Sequence, residues 1–287
     1  MQPFEVPGLT RGAGSQPAEP DGAVLHCLQY PSAMQTYRPP ILPEAVSDAA
    51  SAAGLDFLRR LLGEIRRYRL GGPALVMDAL GLATAGRQLV AQALGEGEVG
   101  ILFAAGSGLR VQETRLAGVW VVQTLDASGR IVADSLEVAD IPGCVRELAF
   151  REAAGSLILD PDAELPDGVL TARSVLAELN AAVARWRPGE LPHVVNLTLL
   201  PHTPEDLAWL EQCLGNGPLT ILSRGYGNCR IRATGLRHCW WVRHFNADDR
   251  LILDSLEVVD VPAAALAASE DLEDSAARLA GIIEALI

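Results

Sequence analysis

The chain is 287 residues long, 49% hydrophobic and 21% charged, a globular balance that excludes wholesale disorder. It carries 23 basic and 36 acidic residues, a net charge of −13, and every basic residue is Arg. Without Lys there is no Schiff-base amine and no Walker-type phosphate loop. The acidic surplus also runs against wrapping nucleic acid, which needs clustered cations.

Five Cys stand at 27, 144, 213, 229 and 239, an odd number with no C-x-x-C pair, so no disulfide framework is expected. The first residues, Met1-Gln-Pro-Phe-Glu5, lack the basic and apolar regions of an export signal. No apolar run is long enough to span a bilayer. These features point to a cytoplasmic address.

Residues 1–43 hold eight of the 18 prolines and are read as an extended arm. Beyond the arm lies an internal repeat. Shifting the chain by 120 places residues 86–142 over 206–262 without a gap, with 20 identities in 57 positions, far above chance. Asp134-Ser-Leu-Glu-Val138 recurs as Asp254-Ser-Leu-Glu-Val258. A period of this size is a domain, not a solenoid turn. Two repeats are expected, at 44–168 and 169–287.

In chain order, the first repeat reads as a helix over 55–68, a strand over 74–80 and a helix over 83–94. Four short strands come next, over 99–104, 109–115, 119–125 and 131–138, then a helix over 143–154. The second repeat reads as a helix over 170–185, a strand over 193–200 and a helix starting after Thr203. Thr203 is its cap, Pro204 its first residue, and Gly215 stands beyond its end. Strands over 219–223, 228–234, 238–245 and 251–259 come next, then a helix over 263–286 interrupted near Ser269. Tight turns between sequential strands make a meander. The fold class is therefore α+β: two pseudo-symmetric repeats, each a largely antiparallel sheet with flanking helices on one sheet face.

Cys229, His238, Cys239 and His244 lie within 16 residues and invite a zinc site. Strand alternation opposes it. His238 and His244 would be roughly 20 Å apart along one strand, and Cys239 would face the other way. A thiol nucleophile at Cys229 or Cys239 is permitted by composition but has no local signature. The Asp-Ser-Leu-Glu-Val carboxylates occur in both repeats, so a structural role explains them better than acid–base chemistry. Glu96 and Glu98, with Glu113 nearby, read as a solvated turn or a meeting place for a basic partner.

The repeats differ most at one hairpin. Phe103-Ala-Ala-Gly-Ser-Gly-Leu-Arg110 becomes Ser223-Arg-Gly-Tyr-Gly-Asn-Cys-Arg230. Arg and Tyr are frequent anchors of binding surfaces. Arg224, Tyr226, Asn228, Cys229 and Arg230, with Trp240 and Trp241 close by, form the candidate partner-binding patch. No catalytic residue, metal ligand or cofactor is assigned.

Further stretches carry a family resemblance. Met34-Gln-Thr-Tyr-Arg-Pro-Pro-Ile-Leu-Pro-Glu44, Gly95-Glu-Gly-Glu-Val99, Ser223-Arg-Gly-Tyr-Gly-Asn-Cys-Arg-Ile231 and Leu253-Asp-Ser-Leu-Glu-Val258 resemble the HupH/HyaF hydrogenase expression proteins. The resemblance implies a cytoplasmic accessory factor, not an enzyme, in maturation of uptake [NiFe] hydrogenases. It implies as partner the iron–sulfur-bearing small subunit before assembly or export, and other maturation proteins. The alternatives are a Cys-dependent enzyme using Cys229 or Cys239, or a metal or iron–sulfur carrier.

Overall fold

The structure is a computed structural model and describes residues 49–287 apart from 105, 161 and 225–227. The Pro-rich arm over 1–43 and Tyr226 lie outside the described residues.

The first half of the chain supplies α1 (Ala49–Arg67), β1 (Leu75–Asp78), α2 (Thr84–Leu94), β2 (Val99–Phe103), β3 (Leu109–Glu113), β4 (Val119–Leu125), β5 (Ile131–Val138) and α3 (Gly143–Leu148). The second supplies α4 (Ala172–Arg185), β6 (His193–Asn196), α5 (Pro204–Leu214), β7 (Leu219–Ser223), β8 (Asn228–Ala233), β9 (Cys239–Phe245), β10 (Leu251–Val258) and α6 (Ser269–Ala285). Short 3₁₀ turns succeed β6 at Leu197–Leu199 and precede α6 at Ala263–Ala265.

The ten strands among the described residues join one sheet, in the order β1-β5-β4-β3-β2-β7-β8-β9-β10-β6, and every named pairing is antiparallel. The two meanders meet where β2 pairs with β7, with Ile101 opposite Ile221.

Local chemistry accounts for the helix ends. Thr203 accepts the Asp206 N–H, and the Asp206 carboxylate accepts the Thr203 N–H at 3.2 Å, a reciprocal cap. Asp206 is also fully buried and accepts N–H groups of Leu170, Thr171 and Ala172 at the start of α4. One carboxylate thus caps two helices. At the place in the first repeat equivalent to Asp206 stands Gly86, where a Cβ would meet the Ala50 carbonyl oxygen at 2.8 Å. There α1 and α2 touch backbone to backbone.

Both sheet faces are covered, which corrects the expectation of helices on one face. Adjacent residues of a strand point to opposite faces. Trp241 packs with Leu176, Leu179 and Leu210 of α4 and α5. Trp240 packs with Val145, Ala149 and Ala265 of the α3 region and the 3₁₀ turn. The sheet is too apolar at its centre to leave that second face to water. A third cluster joins α1 and α2 to Leu272, Leu279 and Ile283 of α6, so the last helix of the chain packs on the first half.

Three boundaries also differ. The helix expected over 143–154 stops at Leu148, and the strand expected over 193–200 turns into 3₁₀ at Leu197. His238 is not a strand residue: its φ is 60°, and its ring stacks on Trp186 at 3.7 Å between centroids.

Candidate functional site

The hairpin singled out in the sequence is divided by the sheet. Arg224 is exposed after β7, and its backbone N–H donates to the Glu98 carbonyl at 3.2 Å. Asn228 donates to Asp249 Oδ1 at 2.6 Å. The Arg230 guanidinium lies 5.8 Å from the Phe245 ring centre. Asn228 and Arg230 share the strand face of Trp241, while Cys229 points the other way into the core.

Trp240 and Trp241 are core residues, 0% and 1% exposed, which corrects their assignment to a partner-contact surface. The Trp240 indole donates to the Asp260 carbonyl at 3.1 Å and meets Phe150 edge-on. The Trp241 indole donates to Asp254 Oδ1 at 2.5 Å. Large flat rings with a buried donor need such partners, and here the chain supplies them. Cys229 is also buried, with Sγ 3.9 Å from His244 Nε2.

The two candidate thiols, Cys229 and Cys239, are not poised for chemistry. Burial, aided by the Glu257 charge, pushes the Cys229 thiol up to about 11. Burial pushes Cys239 up to about 12, against a hydrogen bond with Thr234. At neutral pH both remain protonated, and the thiolate is the nucleophile. Among the described residues no group of three His, Cys, Asp or Glu side chains could hold a metal ion.

A second site borders the acidic turn at Gly95-Glu96. A cleft of about 460 Å³ opens between α2 and strands β3–β5 of the first repeat. Val90, Ala91, Leu94, Val121 and Leu136 give it apolar walls, and Arg110, Gln112, Gln123 and Asp134 add polar groups from the strands. Glu96 and Glu113 also line it, so the acidic turn borders a cavity and is not simply solvated. Burial pushes the Glu113 carboxyl up to about 7; the Gly118 N–H bond at 3.1 Å opposes this, and the charges of Asp271 and Glu98 add to it. The sequence signal for the cleft is a difference between repeats: Val121 aligns with Trp241, and Ala91 with Glu211.

Comparison with known proteins decides the family. The HupH hydrogenase expression protein, C-terminal conserved region, matches residues 53–153 and again 169–286. The chain belongs to the HupH hydrogenase expression protein family. Three relatives match along nearly their whole length. Hydrogenase expression/formation protein HoxQ of Azotobacter vinelandii is 44% identical, over 99% of this chain and 98% of the relative. HupQ of Azotobacter chroococcum mcd 1 is 46% identical, over 91% and 92%. HupH of Rhodobacter capsulatus is 42% identical, over 99% and 98%. The two matched segments of the HupH region fall on the two halves of the sheet, β1–β5 and β6–β10.

Proposed function

We propose that this protein is an accessory, chaperone-like factor in [NiFe] uptake hydrogenase maturation, acting in the cytoplasm and binding the iron–sulfur small subunit before assembly or export. The observation that carries the reading is the near full-length match to a hydrogenase expression/formation protein, at 44% identity. The protonated, buried thiols weigh against the Cys-dependent alternative. The reading requires no cofactor.

The architecture suits a binding role. The two halves, 44–168 and 169–287, are read as copies of one module related by a pseudo-twofold axis through the Ile101–Ile221 pair. Supporting this, strand partners on both sides repeat at a shift of 120: Gln123 pairs with Asp134, and Arg243 with Asp254. Fusing the copies through β2 and β7 hides one edge of each sheet. The acidic chain favours encounter with a basic segment of the client, and the exposed Arg224, with Arg230, contributes contacts. Trp240 and Trp241 act from beneath, by holding the strands.

No helix among the described residues is long and apolar enough to cross a membrane. The test is affinity purification from hydrogenase-expressing cells. The small subunit should co-elute with the wild-type protein and be lost with an Arg224→Ala, Arg230→Ala double variant that melts like wild type. Failure of the small subunit to co-elute with the wild type overturns the assignment of the client.

A further inference from the structure

The strand registers match the cleft to its counterpart in the second repeat position by position. Val121 lies between Gln112 and Leu136 on neighbouring strands; Trp241 lies between Arg232 and Leu256. Each residue of the second set is its counterpart displaced by 120. In the second repeat the space is full. Trp241 occupies it, held by Asp254, with the Arg243 and Arg232 guanidiniums 4.5 and 5.2 Å from its ring centre. Arg232 in turn meets Glu211 at 3.2 Å and donates to Asn216.

In the first repeat the filling groups are gone and the receiving groups remain. Val121 stands for Trp241, Gln112 for Arg232 and Ala91 for Glu211. Asp134, the counterpart of Asp254, accepts one hydrogen bond from Gln123 at 3.0 Å and has lone pairs for another. Glu96 stands where Asn216 receives Arg232.

We propose that this cleft takes an aromatic side chain with a ring N–H or O–H, next to an Arg or Lys, presented by a partner polypeptide. The second repeat fills the same space from within its own chain and shows what the missing occupant looks like. The ring would rest on Val121 and Leu136 and donate to Asp134. The adjacent cation would face Glu96 at the rim of the cleft. Arg87 and Arg110, which also line the cleft, would lie against the ring as Arg232 and Arg243 lie against Trp241. A volume of about 460 Å³ is within the range of side-chain and small-ligand sites. The inference deepens the accessory-factor reading, on which it rests, by placing one client contact in the first repeat.

The probe is acetyl-Arg-Trp-amide, titrated into full-length protein carrying labelled Ile, Leu and Val methyl groups, with acetyl-Arg-Ala-amide as control. Methyl signals of Val90, Leu94 and Val121 should shift with the Trp peptide and not with the Ala peptide. Val121→Trp, which plugs the cleft from within, should weaken binding about tenfold or more, the worth of burying one aromatic side chain. Ala91→Arg, on the exposed side of α2, should do the same by blocking the mouth and repelling the cation, and it decides the matter should Val121→Trp fail to fold. Absent shifts in the wild type, or unchanged affinity in a folded variant, overturn the proposal. Small-subunit co-elution without peptide binding would sink the cleft alone; peptide binding without co-elution would sink only the client assignment.

Discussion

Ile101 of β2 sits directly opposite Ile221 of β7, and the two occupy the same place in their respective repeats. Residues on either side then cross over, Val99 facing Ser223 and Phe103 facing Leu219. Such a self-paired position in an antiparallel ladder supports the proposed twofold relation between the two halves. One buried cluster, with Ile101, Val111 and Trp120 from the first half and Ile221, Ile231 and Trp240 from the second, spans the junction, so changes in one half should be felt in the other.

Gly118 tests that coupling. It has φ 75°, and a Cβ there would come within 2.4 Å of Leu272 on α6, the helix contributed by the other half. Gly118→Ala combines the left-handed backbone penalty with overpacking and should cost about 2–4 kcal/mol in urea denaturation. Its counterpart, His238, tolerates φ 60° because its ring gains the Trp186 stack. His238→Gly relieves strain and loses that stack, so its stability should stay within about 1 kcal/mol of wild type.

Asp206 should be among the most sensitive polar positions. Burial pushes its carboxyl up, but the N–H groups of Ala172, Thr203, Thr171 and Leu170 outweigh that and hold it well below the usual carboxylate range. Asp206→Ala orphans buried donors on two helices and should destabilise by about 3 kcal/mol or more, read by chemical denaturation. A carboxyl depressed on folding contributes stability above its unfolded value, near 4, and that contribution fades as pH falls below it. Wild type minus Asp206→Ala should therefore shrink below about pH 4.

Glu113 should act in the opposite direction. Its carboxyl is raised to about 7, so the folded protein holds the proton more tightly than the unfolded chain. Stability then falls as pH rises from about 4.5 to 7 and levels off above. Glu113→Gln keeps an acceptor for the Gly118 N–H and removes the ionisation. Thermal melts from pH 5 to 8 should show a smaller decline for the variant than for wild type; equal slopes would place the loss elsewhere.

Much of this fold is written locally. Thr203-Pro204-Glu-Asp206 announces α5, and Gly95 and Gly215, at φ 60° and 62°, end α2 and α5. Alternation and turn residues give the meander strands to within a few residues. The β2–β7 junction and the docking of α6 on α1 are not legible, because they depend on pairing between segments far apart in sequence. The same gap misplaces Trp240 and Trp241. Beside Arg243 and the polar hairpin they look like surface anchors, yet a sheet covered on both faces buries each on a different side.

The cysteines make a direct chemical test. Cys213 is part-exposed on α5, and burial raises its thiol; Cys229 and Cys239 are buried, with thiols pushed up to about 11 and about 12. Iodoacetamide at pH 7.5 should label Cys213 ahead of both, with Cys229 and Cys239 modified only in denaturant, as peptide mass mapping would show. Rapid, selective alkylation of Cys229 in the native protein would restore the nucleophile reading.

Trp241→Val gives the second repeat the residue that stands at the matching place in the first. The indole is 1% exposed, donates to Asp254 and lies under two guanidiniums. Truncation removes its packing, opens a cavity and strips the apolar surface that Arg232 and Arg243 cover. Large-to-small changes of this kind cost about 3–5 kcal/mol. In the first repeat Val121 occupies the matching place without collapse, because Ala91 and Gln112 bring no charges that must be paired over a ring. Introducing Glu211→Ala and Arg232→Gln together with Trp241→Val should therefore recover part of the lost stability, measured as a rise in urea midpoint over the single variant. Strict additivity of the three changes would mean that the filled and open sites are not alternative, self-consistent sets.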